Sequence, residues 1–274
     1  MHIPEAHSVL RKSDTGDLVV AADFGSAGRP SATFTELVAG LRAEHTVWET
    51  MPPPHGTEVG RDGKWHVDRW VRDIRAAELP VRAVIGFCSG SVYAGALVRE
   101  ISAWQRRPRL ILIDPDRAER FMVTNHYEQF VRARLGVVMP AEEVDDAVRA
   151  GRAADETCAD PLDLAAELGV LCRRYLPPAA RQAGMSGPRS VELAEIFSSY
   201  LYWLAAGSTV DGRREWATAT ALNSNTDGFG LDAFPEAERA DLVAEVVQFD
   251  VSHRELMRDP DVHRTVDGLL QEGD

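Results

Sequence analysis

The chain has 274 residues, enough for one large α/β domain or two modest ones with a sizeable core. Its formal charge is −13, while 45% hydrophobic and 27% charged residues are the balance of an ordinary globular chain. The acidity argues against nucleic acid as a partner, because such binders need a basic surface to neutralise phosphates; Lys12 and Lys64 are the lysines, so arginine supplies nearly all the positive charge.

In chain order, "SVLRK" and "DLVVAADF" read as short strands divided by the turn signal "SDTG". "ATFTELVAGLRAE" has apolar residues at helical spacing, "HTVWET" reads as a third strand, and "MPPPHGTEVGRDG" reads as loop. "KWHVDRWVRDIRAAEL" is an amphipathic helix. "VRAVIGF" is mostly apolar, as a central parallel strand buried on both faces should be. A turn and a helix over 89–104 follow, then a fifth strand, "RLILID". From 117 to about 212 the pattern is helical, in "AEEVDDAVRAGRAA", "PLDLAAELGVLCRRYL" and "SVELAEIFSSYLYWLAAG", with "PPAARQAGMSGP" (177–188) expected to break it. Strand, short helix and strand return in "ATATALN", "FPEAERADL" and "AEVVQFD", and "RELMRDPDVHRTVDGLL" is expected to close the chain as one helix. The alternation predicts an α/β fold: a mostly parallel sheet with helices on both faces, formed by 1–116 and 213–274, interrupted by a helical subdomain over 117–212.

Cys88, Cys158 and Cys172 are too few for a disulfide scaffold and show no CxxC metal spacing. "MHIPEAHSVLRKSD" lacks the basic stretch and apolar core of a signal peptide, and no apolar run reaches the roughly 20 residues of a bilayer span. The expectation is a cytoplasmic protein with reduced thiols, no metal and no membrane partner.

Chemistry concentrates at Gly86-Phe87-Cys88-Ser89-Gly90, a G-x-C-x-G turn between an apolar strand and a helix. A strand-to-helix elbow of this kind lifts its central side chain above the sheet, and its small flanking residues let neighbouring backbone approach. The raised side chain meets a helix N-terminus, where N–H groups and the dipole favour negative charge, here a thiolate. The Ser89 N–H would face a developing oxyanion. Two plainer readings compete: a small buried core cysteine, or Ser89 as the nucleophile. The strand before the turn and the helix after it favour Cys88.

A nucleophile needs a base, and the base an orienting acid; behind an elbow they follow in the order nucleophile, acid, histidine. His253, in "VVQFDVSHREL" between the last strand and the last helix, stands where the base belongs, with His126 in reserve. For the acid, Asp114 ends "RLILID" and Asp227 lies in "NSNTDG", both at strand C-terminal ends; Asp116 and Asp250 stand behind them. An aspartate after a strand also serves as a helix cap or turn former. A second oxyanion donor is expected from the loop "AADFGSAG", from the N–H of Gly25, Ser26 or Ala27.

With these residues in place, the sequence resembles the thioesterases of polyketide and nonribosomal-peptide pathways, in the α/β-hydrolase superfamily. "DLVVAADFGSAGRPSATFTELVAGL" resembles that family's first strand, oxyanion loop and first helix; "VRAVIGFCSGSVYAGALVREI" its elbow; "RLILIDPD" the strand ending in the catalytic aspartate; and "HRELMRDPDVHRTVDGLL" the histidine and closing helix. The resemblance implies an α/β-hydrolase fold, Cys88 as nucleophile in place of the usual serine, His253 as base and Asp114 as acid. It makes 117–212 a lid over an acyl chamber. It implies no cofactor, and a substrate delivered in trans on the phosphopantetheine of an acyl- or peptidyl-carrier protein in secondary-metabolite biosynthesis. Arg117, Arg120, Arg132 and Arg134 would offer the carrier positive charge. Transfer from a carrier thioester to Cys88 exchanges one thioester for another, so the acyl group stays activated for hydrolysis, transfer or cyclisation. The alternatives are a dienelactone-hydrolase-like cysteine enzyme, which lacks a long helical lid, and a catalytically silent binding module on the same fold.

Overall fold

The computed structural model describes residues 3–14, 16–25 and 31–271. They divide into two compact units: Met1–Met51 with Lys64–Arg117 and Val210–Asp274, and Pro52–Gly63 with Ala118–Thr209.

The first unit is built on seven strands: β1 (His7–Arg11), β2 (Leu18–Ala22), β3 (Thr46–Thr50), β4 (Val81–Phe87), β5 (Arg109–Ile113), β6 (Thr220–Asn223) and β7 (Glu245–Gln248). They lie in the order β1-β3-β2-β4-β5-β6-β7. The pair β1–β3 is antiparallel and every other pair is parallel. Apolar content follows position in the sheet. Central β2, "LVVAA", is buried throughout, whereas edge strand β7, "EVVQ", is largely exposed. Four longer helices, α1 (Phe34–Gly40), α2 (Gly63–Ala77), α3 (Gly90–Ser102) and α9 (Pro260–Gln271), and the short α8 (Glu236–Arg239) accompany the sheet. Val19, Ala21, Ala83, Ile85, Ile111 and Ile113 form one core with Phe34 and Leu37 of α1 and Val262 and Val266 of α9. The alternate strand residues, Val20, Val84 and Leu112, are equally buried and point to the opposite face. There Trp70 of α2 meets Tyr93 of α3 edge-on at 5.2 Å.

The second unit is helical: α4 (Arg120–Phe130), continued by a π turn over Val131–Leu135, then α5 (Ala141–Thr157), α6 (Pro161–Gln182) and α7 (Gly187–Gly207). Phe130 stacks on Phe197 at 3.7 Å, and Tyr200 on Trp203 at 6.1 Å. A Cβ at Gly151 would come within 2.5 Å of the Tyr127 ring, so α5 needs glycine there. The segment 52–63, read as loop, joins this unit through Glu58, whose carboxylate accepts from Ser199 Oγ at 2.6 Å and lies 3.3 Å from His55 Nδ1.

Two helix boundaries differ from expectation. Pro177 and Pro178 lie inside α6 instead of ending it; the burial of Leu176, Ala179 and Ala180 outweighs the two missing donors, and the break falls after Gln182. The closing segment is a short 3-10 turn (Leu256–Arg258) and a separate α9. Asp259 Oδ1 accepts from Asp261 N–H at 2.7 Å, and Pro260 occupies the first helical turn where no donor is needed.

Candidate active site

Strand register brings the site residues to one end of the sheet. Phe87 is paired with Ile113, and Ile113 with Leu222, so Cys88, Asp114 and Asn223 come next at the same level. Cys88 turns the chain with φ 50°, a left-handed conformation that costs a non-glycine residue about 1–3 kcal/mol and recurs at functional sites. The turn is tied on three sides: Cys88 N–H donates to Ile113 O at 3.0 Å, while Cys88 O accepts from Ser91 N–H at 3.0 Å and Asp116 N–H at 3.2 Å. The flanking glycines are sterically required. A Cβ on Gly86 would lie 2.6 Å from Ser91 Cα, and one on Gly90 2.1 Å from Ala22 O. Cys88 itself is 6% exposed, with its thiol 3.9 Å from Ser89 Oγ and directed to Asp116 Oδ2 at 4.0 Å.

Asp114 also adopts a left-handed conformation, φ 42°, and is fully buried. Its two oxygens have separate tasks: Oδ1 accepts from Ser224 N–H at 2.7 Å, and Oδ2 lies 2.8 Å from His253 Nδ1. A carboxylate partner fixes the proton on Nδ1 and leaves Nε2 as the basic nitrogen. The ring is held by apolar contacts as well. Phe87 stacks on it at 4.9 Å with planes 12° apart, and Phe229 at 4.2 Å and 29°. Phe87 immediately precedes Cys88, so this stack sets the imidazole beside the elbow. The His253 N–H donates to Thr226 Oγ1 at 2.8 Å, and Asn225 N–H to Val251 O at 2.9 Å, lacing the loop after β7 to the loop after β6.

The other expected residues fall as follows. Asp227 is exposed on the turn after β6; the carboxylate against the imidazole belongs to Asp114. Asp250 accepts from Asn225 Nδ2 at 2.6 Å. Asp116 is buried at the elbow, with Oδ1 accepting from Arg117 N–H at 2.7 Å. His126 sits in the helical unit, 3.0 Å from Tyr200 OH. Ser89 caps α3, and among the described residues its N–H has no acceptor. Gly25 follows β2, and a Cβ there would stand 3.0 Å from Glu49 Oε1. Ser26 and Ala27 lie outside the described residues. Arg120 pairs with Asp155 at 2.7 Å and Arg132 with Asp145 at 3.4 Å, while Arg117 lies over the Phe234 ring at 4.9 Å.

Sequence reasoning missed Ser224, Thr226, Phe229 and Gly230, which build the seat of the Asp114–His253 pair. Gly230 has φ 59°, and a Cβ there would come within 2.6 Å of Asp114 Oδ1. The run "NSNTDGFG" announces a turn but does not say what the turn packs against. Among the described residues no group of three or more His, Cys, Asp or Glu is placed to hold a metal ion, and no helix is long and apolar enough to cross a membrane.

A parallel sheet with one antiparallel edge, an elbow after a central strand, and a histidine loop after the last strand together make this an α/β-hydrolase fold. Among solved structures, the chain is similar to the Vlm2 thioesterase domain with genetically encoded 2,3-diaminopropionic acid, bound with a dodecadepsipeptide. The TM-score is 0.55, with 14% identity over 97% of this chain and 98% of that one. It is also similar to the NocB thioesterase domain in covalent complex with a fluorophosphonate nocardicin G analog, with a TM-score of 0.53 and 17% identity over 97% and 99%. At these identities the likeness is one of fold. No family model and no curated protein matches the chain.

Proposed function

We propose that the protein is a thioesterase-like enzyme that takes an acyl group from a carrier thioester onto Cys88 and releases it by hydrolysis, transfer to a nucleophile or cyclisation. His253 Nε2 accepts the thiol proton, Asp114 orients the ring and stabilises its cation, and the N–H groups of Ser89 and Gly25 face the oxyanion. The observation that carries this reading is the 2.8 Å contact between Asp114 and His253 on a ring stacked against Phe87, next to a strained cysteine. The acyl group would come from an acyl- or peptidyl-carrier protein acting in trans, in a cytoplasmic secondary-metabolite pathway. Acyl-chain selection we place in the helical unit. The arginines expected to dock the carrier do not support that detail, since Arg120 and Arg132 already hold carboxylates within that unit.

The test compares release from an acyl-N-acetylcysteamine thioester with opening of a dienelactone. Thioester turnover that disappears in Cys88→Ala and His253→Ala is expected. Faster lactone opening would favour the dienelactone reading, and no turnover of either by folded protein a silent module. In Cys88→Ser, loss of transfer with hydrolysis kept is expected; unchanged product ratios would count against the thioester argument.

A further inference from the structure

Asp114 Oδ2 lies 2.8 Å from His253 Nδ1, and Thr226 Oγ1 accepts from the His253 main-chain N–H at 2.8 Å, so two partners already orient the base. Two phenyl rings are added to them. Phe87 lies 4.9 Å from the imidazole with planes 12° apart, and Phe229 lies 4.2 Å from it with planes 29° apart. Two rings stacked this closely cannot share one face of a five-membered ring, so the imidazole is enclosed between them. They differ in what they expose. Phe87 is 1% exposed and belongs to the core, whereas Phe229 is 36% exposed. Phe229 therefore closes one face of the base and still turns apolar surface outward beside it. Its loop is shaped to put it there. Phe229 stands between Gly228, φ 74°, and Gly230, φ 59°, both in the left-handed conformation that suits glycine. Its N–H donates to Thr226 O at 3.1 Å, and its carbonyl accepts from Asp232 N–H at 3.2 Å. Holding the imidazole needs no exposed ring, as buried Phe87 shows, so the outward surface of Phe229 calls for a second use.

We infer that Phe229 is the specificity-determining residue for the acceptor: its outward surface takes the apolar tail of an alcohol or amine, so that the acyl group on Cys88 passes to that nucleophile in preference to water. This rests on the reading of Cys88 as the acylated residue and His253 as its base. With Nδ1 against Asp114 and both ring faces covered, a nucleophile meets the base at the ring edge that carries Nε2. An acceptor whose O–H or N–H donates to Nε2 has its carbon chain beside Phe229. Contact then removes two apolar surfaces from solvent at once, a gain that grows with the area covered and that water as a nucleophile lacks. A covered Phe229 also keeps water from Nε2.

The step balances for either acceptor. His253 Nε2 takes the O–H or N–H proton, the oxygen or nitrogen attacks the thioester carbonyl carbon, and the C–S bond breaks with its electron pair on sulfur. The imidazolium returns the proton to sulfur, leaving an ester or amide and the free Cys88 thiol. Phe229 exchanges no proton and acts through contact.

The experiment loads the full chain with a hexanoyl-N-acetylcysteamine thioester and supplies ethanol, butanol or hexanol at equal concentration. These share one nucleophilic group and differ in apolar length. Ester and acid are quantified by mass spectrometry after subtraction of the enzyme-free reaction, and the Cys88 adduct is followed by intact mass. In the wild type, the ester-to-acid ratio is expected to be at least tenfold higher with hexanol than with ethanol. In Phe229→Ala, with the Cys88 adduct still formed, that advantage is expected to fall to within twofold, at whatever rate the variant retains. Phe229→Tyr, which keeps the ring, is expected to restore it. A residue that only held the imidazole would lower ester and acid together and leave their ratio unmoved. An unchanged hexanol advantage in Phe229→Ala, or equal ratios with ethanol and hexanol in the wild type, overturns the inference and leaves the Cys88 reading standing. Absence of any Cys88 adduct in the wild type sinks both. If Phe229→Ala does not fold, Phe229→Leu takes its place: the advantage is expected to fall at least threefold, and an intact advantage overturns the inference.

Discussion

Asp114 binds His253 through one oxygen and the Ser224 N–H through the other, so an amide at this position would preserve shape while destroying the charge and the tautomer. Asp114→Asn is expected to lower thioester turnover by roughly 10²–10⁴-fold, with the fold retained. Asp227→Asn, on an exposed turn, is expected to leave turnover within about twofold, as surface substitutions away from a site do. Parallel steady-state rates check both; equal losses would reassign the acid. The thiols differ as sharply. Burial pushes the Cys172 thiol up to about 12. Iodoacetamide at pH 8 is expected to label the partly exposed Cys158 and spare Cys172, as read by peptide mass, because the thiolate is the reactive form.

At the level of elements, the elbow depends on backbone passing within van der Waals distance at Gly90. Gly90→Ala drives a methyl group into Ala22 O, the end of β2, and is expected to cost about 1–3 kcal/mol and lower Tm. Gly16→Ala is a poor control, since its φ is 82°; Gly268→Ala in α9, with nothing within 4 Å of the new methyl group, is the better one and is expected to be neutral or stabilising. Much of this level was legible in the sequence. β4 coincides with "VRAVIGF", and the elbow was readable because G-x-C-x-G states its own steric requirement. Boundaries were harder where proline was read as a stop. "PP" at 177–178 is overridden by tertiary burial in α6, whereas "DP" at 259–260 starts a helix that Asp259 caps. The seat of His253 was illegible for a different reason. Thr226 and Phe229 act across loops that strand order alone brings together, and no local spacing records that contact.

For the whole molecule, the first unit holds its antiparallel edge strand partly through charge. Burial raises the Asp73 carboxyl on α2, but hydrogen bonds from His7 and from the Ala6 and Glu5 N–H groups outweigh it and hold the group well below the usual carboxylate range. A depressed folded-state value gives stability that is fully present above the unfolded value, about 3.9, and is lost as pH falls through the folded one. Asp73→Asn is therefore expected to be less stable at pH 7 by about 1.5–3 kcal/mol, with the gap to wild type narrowing below about pH 4. Urea midpoints across that range test this; a gap independent of pH would contradict it.

The central claim is that acyl groups pass through the sulfur of Cys88. Its most direct measurement is acid quenching of the protein during turnover of an acyl-N-acetylcysteamine thioester, followed by peptide mapping of the acyl mass. The acyl mass is expected on the peptide that carries Cys88 and is expected to vanish in Cys88→Ala. An acyl group on Ser89 or Cys158, or turnover undiminished in Cys88→Ala, would contradict it.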